Sequence, residues 1–413
     1  MNGALYCPYC YHRFTARQIM FRCTGRPGPT GRRCESRTDP LLAAHTGDTA
    51  PRPPAFEADG RKGSARCECQ VETTVRICPF CHSQLPTHFG AADSRLIALV
   101  GAKESGKTVF MTVLLHELRN RLGESFGLAV MGADDYTRNQ FPADYEDRLY
   151  TERQLHESTR TAAGTREGRR PLVFSMTLNR RRAFNRSTID RSLFSFFDTA
   201  GEDLRSADSV ERNARYLAAA DGIILLLDPL QMRGARPLAE PGTPLPEPGG
   251  ARDDPAGVLS RVTDLLHDAG RTRRGGRIRK PIAVVFSKLD ALDGTLPEDS
   301  ALLRDSPRDA VYDEADGRAV HEEIRALLDK WQGGGMDLLL EQNFERHRLF
   351  GVSALGSNPV RDENDVQRVS EYGVLPRRIQ DPFLWLLSEF GTISRRDSPR
   401  RAAPDNTAAK RRL

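Results

Sequence analysis

Beyond Cys81 the chain has no cysteine. All eight, Cys7, Cys10, Cys23, Cys34, Cys67, Cys69, Cys78 and Cys81, precede that point. This excludes a disulfide-stapled body and sets an N-terminal head apart from the rest. Lysine is also scarce: seven of the 61 basic residues, the others being arginine. Arginine abundance of that kind carries no functional weight, but the few lysines do, and Lys103, Lys107 and Lys288 fall inside the motifs described below. Long apolar runs are missing. The longest purely aliphatic one is Ile223–Leu227, far short of the ~20 residues of a membrane span. No basic stretch followed by an apolar segment opens the chain at Met1–Tyr6, so a cytoplasmic location is expected. The body carries little charge of one sign. Residues 394–413 hold six arginines and Lys410 against Asp397 and Asp405, which equals the whole net charge of +5. A balanced body argues against a dedicated nucleic-acid face. The basic tail could touch nucleic acid or an anionic membrane, but a solvated, disordered end is the favoured reading.

With 413 residues, two or three domains are expected. The reading divides the chain into a cysteine-rich head over 1–89, an α/β domain over 93–391 and a basic tail over 392–413. Within the head, 39–66 is rich in Pro, Gly, Ala and Asp and reads as a loop or disordered insert. From Ser94 the texture changes. Strands are expected at 95–100, 172–178, 193–197, 223–227, 282–286 and 349–352, the second and third forming a hairpin. The runs at 223–227 and 282–286 are apolar throughout, as strands buried on both faces of a parallel sheet are. Helical spacing appears at 108–122, 258–266 and 319–328. This alternation predicts an α/β fold with a mainly parallel sheet. The stretch 229–257 holds seven prolines and five glycines and is read as an irregular insert; 293–317 is read as a polar, acidic one.

Gly101-Ala102-Lys103-Glu104-Ser105-Gly106-Lys107-Thr108 fits GxxxxGK[ST] and stands between an expected strand and an expected helix, the context of a phosphate-binding loop. The glycines let the backbone wrap phosphates, and amides at a helix N-terminus point at the anion. Lys107 would reach the β- and γ-phosphates, and the Thr108 hydroxyl would coordinate Mg²⁺. Three later signals favour guanine over adenine. The strand ending at Asp198-Thr-Ala-Gly201 carries DxxG, in which Asp198 would hold Mg²⁺ through water and the Gly201 amide would meet a γ-phosphate. Ser287-Lys288-Leu-Asp290 resembles NKxD: the Asp290 carboxylate can accept from guanine N1–H and N2–H₂, and Lys288 would lie along the base. Ser353-Ala354 resembles the loop whose amide meets guanine O6.

On these residues, 95–390 resembles a GTPase domain of the class that includes small GTPases and translation factors. The cysteine-rich head and Asp381-Pro-Phe-Leu-Trp-Leu-Leu387 resemble, more narrowly, the bacterial double-GTPase family. That resemblance implies a P-loop GTPase fold, GTP and GDP as ligands, and a partner that is a second GTPase or a product of a shared gene cluster. Three positions depart from the pattern. Ser287 replaces Asn or Thr, though its hydroxyl can still bridge to the phosphate loop. Glu202 stands where a water-orienting Gln is usual. The switch threonine for Mg²⁺ could be Thr159, Thr161 or Thr165.

Cys7-Pro-Tyr-Cys10 and Cys78-Pro-Phe-Cys81 are CxxC knuckles suited to Zn²⁺. Cys67, Cys69, Cys78 and Cys81 resemble a short zinc ribbon, leaving Cys7, Cys10, Cys23 and Cys34 as a second set. Nothing in the spacing rules out an interleaved pairing, with both knuckles on one ion. His12, His82 and His88 are reserve ligands, each read first as an ordinary surface histidine. Two structural Zn²⁺ are expected, with the head docking to a partner. The reading is a guanine-nucleotide switch that slowly hydrolyses GTP, with Lys107, Gly201 and Glu202 as catalytic groups; the alternative is a non-hydrolysing, GTP-binding scaffold.

Overall fold

A computed structural model of the chain describes residues 4–87, 89–90, 95–102, 104–155, 170–181, 187–196, 207–246, 254–268, 276–307, 311–333, 335–364 and 366–397. Its centre is a seven-stranded sheet. The strands are β1 (Leu96–Gly101), β2 (Leu128–Gly132), β3 (Leu172–Arg181), β4 (Ser187–Phe196), β5 (Gly222–Leu227), β6 (Ile282–Phe286) and β7 (His347–Gly351). They lie in the order β7-β6-β5-β1-β4-β3-β2. From β7 to β4 the pairing is parallel; β4–β3 and β3–β2 are antiparallel. Every residue of β5 and β6 is buried, as their uninterrupted Ile, Leu and Val runs require. The expected hairpin is present as β3–β4, its register running from Leu172 opposite Phe196 to Arg181 opposite Ser187.

Helix α1 (Lys107–Arg119) starts the first crossover, and α2 (Ala207–Ala219), α3 (Pro255–Asp268), α4 (Glu314–Lys330) and α5 (Asp381–Glu389) complete the set that packs on the sheet. No described helix is long and apolar enough to cross a membrane. Helix α5 buries Phe383, Trp385 and Leu386 against the sheet, with Phe383 at 4.7 Å from Phe194 and Trp385 at 5.9 Å from Phe350 between ring centroids. Gly222, which opens β5, permits this: a Cβ there would sit 2.8 Å from Phe390 and 3.0 Å from Leu386. Truncating Phe383 to alanine would cost about 3–5 kcal/mol through the cavity left behind.

Several expected irregular stretches are ordered. Residues 39–66 contain a helix, Pro40–Thr46, and two short strands, Ala55–Phe56 and Ala65–Arg66. Asp39 caps that helix through the Leu42 amide and is clamped by Arg22 at 2.6 Å and His82 at 2.8 Å. Burial raises the Asp39 pKa, but the Arg22 guanidinium, the Leu42 amide and His82 outweigh it and hold the carboxyl below its usual range. His82 is therefore a part-buried hydrogen-bond partner of Asp39, not the surface histidine expected. In 229–257, Leu230, Met232 and Ala235 are buried within or flanking two 3₁₀ turns, and α3 already starts at Pro255, where proline suits a first helical turn. In 293–317, Val311–Asp313 is a strand, and α4 starts at Glu314 behind the Asp313 cap. That strand pairs in parallel with Ser394–Arg396, so residues read as the start of the tail form a strand.

The head is joined to the sheet. Tyr11 belongs to the same apolar cluster as β1, β5 and β6, while Cys7, Cys78 and Cys81 cluster with Val173 of β3 and Leu193 of β4. His12, also read as a surface residue, stacks on Phe80 at 4.7 Å, and its Nε2 accepts from Arg215 of α2 at 2.7 Å. Burial first, and the guanidinium next, hold the imidazole pKa below its ordinary value, which keeps the neutral, accepting form.

Candidate nucleotide-binding site and metal centres

Strands β1, β5, β6 and β7 end along one edge of the sheet, and the loops beyond their carboxyl ends meet there, the usual ligand-binding edge of an open α/β sheet. The loop after β1 is 102–106, and α1 begins at Lys107. Its backbone demands glycine at two places. A Cβ at Gly101 would lie 2.6 Å from Ser105 Oγ and 2.7 Å from the Leu226 carbonyl. Gly106 has φ +76°, in the left-handed region. Glu104 adopts φ +61°, uncommon for a residue with a Cβ. The Ser105 hydroxyl is buried without a hydrogen-bond partner. An orphaned hydroxyl, a helix N-terminus and a backbone cradle that side chains would fill are the features a phosphate chain satisfies.

The loop after β6 carries Ser287, Lys288 and Asp290. Ser287 Oγ lies 2.8 Å from the Ser105 carbonyl and 3.1 Å from that of Leu227, so its hydroxyl spans the two loops. Lys288 takes a left-handed backbone, φ +55° and ψ 32°, and its Nζ lies 2.7 Å from Asp228 Oδ2. Asp290 is buried, and its Oδ1 accepts from Ser353 Oγ at 2.6 Å. Burial pushes the Asp290 carboxyl up from its ordinary pKa, and the Ser353 hydrogen bond partly opposes this. Ser353 Oγ in turn accepts from the Gly356 amide at 2.8 Å, which fixes the loop containing Ala354. Thus Ser287 touches the phosphate-type loop, while Asp290, three residues on, is joined to Ser353, 63 residues away along the chain. Lys103, Thr159, Thr161, Thr165, Asp198, Gly201 and Glu202 lie outside the described residues. The sequence reading assigned no role to Asp228. The available signal was an acidic residue directly after a fully apolar strand, where a charge is normally either paired or absent.

The cysteines form two groups: Cys7, Cys10, Cys78 and Cys81, and Cys23, Cys34, Cys67 and Cys69; within each, the sulfurs lie within 4.8 Å of one another. This is the interleaved pairing. The alternative in which Cys67 and Cys69 share an ion with Cys78 and Cys81 does not hold, because folding brings the two knuckles face to face. A tetrahedral zinc with Zn–S of about 2.3 Å requires S···S edges of about 3.8 Å. Cys7–Cys81 is 3.8 Å and Cys10–Cys78 is 3.7 Å. Amides of Tyr9 and Phe80 donate to Cys7 and Cys78 Sγ, both at 3.4 Å, the kind of support that steadies thiolate ligands. In the other group Cys23–Cys69 is 3.8 Å, Cys23–Cys67 is 3.5 Å and Cys67–Cys69 is 2.9 Å. All exceed the ~2.05 Å of a disulfide, and all eight cysteines are free. The first donor set fits a closed, four-thiolate Zn²⁺ site; the second brings four sulfurs together, but its Cys67–Cys69 edge is shorter than a tetrahedral zinc requires.

Residues 95–339 match the family described as Double-GTPase 2. The chain belongs to the Double-GTPase 2 family. A relative of this double-GTPase from Mycolicibacterium smegmatis, named "Putative ESX-1 scaffolding and assembly protein SaeC", is 29% identical over 412 residues, covering 94% of this chain and 99% of its own. Among solved structures, the signal recognition particle receptor SRb-GTP/SRX complex from Chaetomium thermophilum is 14% identical, covering 65% of this chain and 94% of its own, with a TM-score of 0.31. The GTP-bound GTPase-like domain of Ski7 from S. cerevisiae is 14% identical, covering 72% and 50%, with a TM-score of 0.28.

Proposed function

We propose that this double-GTPase is a guanine-nucleotide switch that hydrolyses GTP slowly to GDP and phosphate and acts on protein partners. The observation that carries the reading is the contact of Ser287 with the loop 101–108, with the buried Asp290 and its partner Ser353 on the neighbouring loops. Only a ligand with a phosphate chain at one end and a hydrogen-bond-donating purine edge at the other uses both halves. In this reading the amides of 102–106 and Lys107 hold the phosphates, and Asp290 accepts from guanine N1–H and N2–H₂. Ser353-Ala354 offers an amide to O6. Lys107, Thr108 and the residues of DxxG, Asp198 and Gly201, surround the γ-phosphate, and Glu202 holds the attacking water by its proton. Bound Mg²⁺ would be held by Thr108, Asp198 and a threonine among Thr159, Thr161 and Thr165, and would supply charge neutralisation on the β- and γ-oxygens. Two Zn²⁺, one per cysteine group, are proposed as structural, since four thiolates leave no open position for chemistry. A cytoplasmic location goes with this reading.

A non-hydrolysing scaffold is the second reading, favoured by one observation: the relative covering nearly the whole chain is named for scaffolding and assembly. Assembly partners in a secretion-type complex would follow from it. The deciving experiment is nucleotide extraction from the purified chain with chromatographic identification, followed by turnover measurement. GDP or GTP is expected; ATP bound as tightly as GTP refutes the guanine reading. Bound GTP without turnover, alone or with cell extract, selects the scaffold.

A further inference from the structure

Asp228 is the first residue beyond β5, and it is fully buried. Both of its oxygens are engaged. Oδ1 accepts from the Leu230 amide at 2.9 Å and so caps the turn Pro229–Gln231. Oδ2 faces Lys288 Nζ at 2.7 Å. The Lys288 side chain remains about a third exposed, at 35%, so one flank of the stem is open. Its left-handed backbone turns that stem toward the phosphate-type loop: the nearest atom to a Cβ built on Gly106 is Lys288 Cε, at 3.9 Å. The ammonium is thus pinned on one side by a buried carboxylate while the methylenes lie beside the glycine that precedes α1.

We infer that Asp228 is a positioning residue which, through Lys288, ties the base-recognition loop to the phosphate loop and sets how long a guanine nucleotide stays bound. The inference rests on the guanine reading above. A lysine stem held in place before the ligand arrives loses less freedom on binding than a mobile one. Because the pair lies at the junction of the two loops and not at the γ-phosphate, GDP and GTP should feel it equally. Asp228 touches no nucleotide atom in this scheme, so its influence disappears when Lys288 is replaced.

The test is the dissociation rate of fluorescently labelled GDP and of a labelled, slowly hydrolysed GTP analogue from the full chain. Asp228→Asn keeps an oxygen for the Leu230 amide and removes the charge that pins Lys288. Loss of one charge-assisted contact predicts dissociation of both nucleotides about 10- to 100-fold faster, with association within about threefold of the parent chain. In a Lys288→Met background, where Asp228 would be a buried unpaired carboxylate, adding Asp228→Asn should make dissociation no faster and relieve instability. A purely structural role for Asp228 would instead give additive effects and a lower melting temperature of the nucleotide-free chain. Wild-type dissociation in Asp228→Asn, or additivity with Lys288→Met, overturns the inference. If Asp228→Asn alone fails to fold, the comparison of Lys288→Met with the double variant decides: tenfold faster loss in the double variant overturns it. A parent chain that binds no guanine nucleotide removes the reading beneath the inference and the inference with it; binding with an unchanged Asp228→Asn removes the inference alone.

Discussion

The Tyr11 phenol lies 2.8 Å from Ser195 Oγ, and Ser195 Oγ donates onward to the Pro8 carbonyl at 2.8 Å. Because the serine proton is used on Pro8, Tyr11 is the donor of the pair. Tyr216 of α2 donates to the Ser195 carbonyl at 2.6 Å, so one residue of β4 receives the first cysteine knuckle on one side and a helix on the other. Ser195 stands three residues before Asp198. The knuckle therefore braces the strand that leads into DxxG.

This bracing separates the two cysteine groups. Cys7, Cys10, Cys78 and Cys81 pack with Val173 and Leu193, whereas Cys23, Cys67 and Cys69 pack with Cys34, Phe56 and Val71 of the head itself. Elemental analysis should find two Zn²⁺ per chain. Cys10→Ser should lower the melting temperature of the nucleotide domain, while Cys34→Ser should leave that transition near its original position. Equal effects on that transition would contradict the bracing. Tyr11→Phe, which removes one hydrogen bond and leaves Ser195 its bond to Pro8, should cost about 1 kcal/mol.

Base choice is tested at Asp290. Asp290→Asn exchanges an acceptor for a donor opposite guanine N2–H₂ and should weaken GTP by roughly 2–4 kcal/mol while favouring xanthosine triphosphate. Competition binding with GTP, XTP and ATP reads this directly. Unchanged GTP preference would exclude Asp290 from base recognition.

The same carboxyl predicts a pH dependence. A protonated Asp290 cannot accept both guanine donors, and burial raises its pKa above the ordinary aspartate value. Guanine affinity should be full well above that raised pKa. It should fall as pH drops through it, at a higher pH than an exposed aspartate would give. The facing groups are Ser353 and Arg377, which favour the ionised form, and Asp293, which opposes it. Equilibrium titrations with labelled GDP across acidic pH should show the step in the parent chain and lose it in Asp290→Asn.

Turnover is tested at Glu202. An ionised carboxylate accepts the water's proton but donates nothing to a γ-phosphate oxygen, and it adds negative charge beside one already negative. Single-turnover hydrolysis without a partner should be no faster than about 10⁻² s⁻¹. Glu202→Gln should change that rate, upward, with GTP affinity within about 1 kcal/mol. Several turnovers per second in the isolated chain would contradict a slow switch.

The parallel half of the sheet was legible because residues 96–99, Gly222–Leu227 and Ile282–Phe286 are buried on both faces, and an uninterrupted apolar run states that directly. Leu128–Gly132 was missed. It is an edge strand whose alternate residues, Ala129 and Met131, face outward, so its five residues carry too little pattern. The phosphate-type loop and the approach of Ser287 to it were readable, since each motif follows its own strand. Partnering across the fold was not. Asp228 with Lys288, Asp39 with His82, and the choice between two cysteine pairings depend on which strands become neighbours, and spacing along the chain is silent on that. Proline misled at 229–257, where it was taken to exclude regular structure: Pro229 opens a buried 3₁₀ turn and Pro255 opens α3.

The bracing of β4 by the knuckle has a consequence for synthesis. The contacts that hold the head to the α/β domain, Tyr11 to Ser195 of β4 and His12 to Arg215 of α2, span sequence separations of 184 and 203 residues. Its own metal-type contacts span 74 and 68. A nascent chain therefore completes the four sulfurs of the first group once Cys81 has emerged, while the strand that will receive them is still untranslated. At ordinary elongation rates that wait is on the order of ten seconds. During it Tyr11, Phe14 and Leu85 have no sheet to cover them. On the two-zinc reading, metal capture would then be an early event on the ribosome, and a cell short of zinc would meet its difficulty with this chain before the GTPase domain exists to fold.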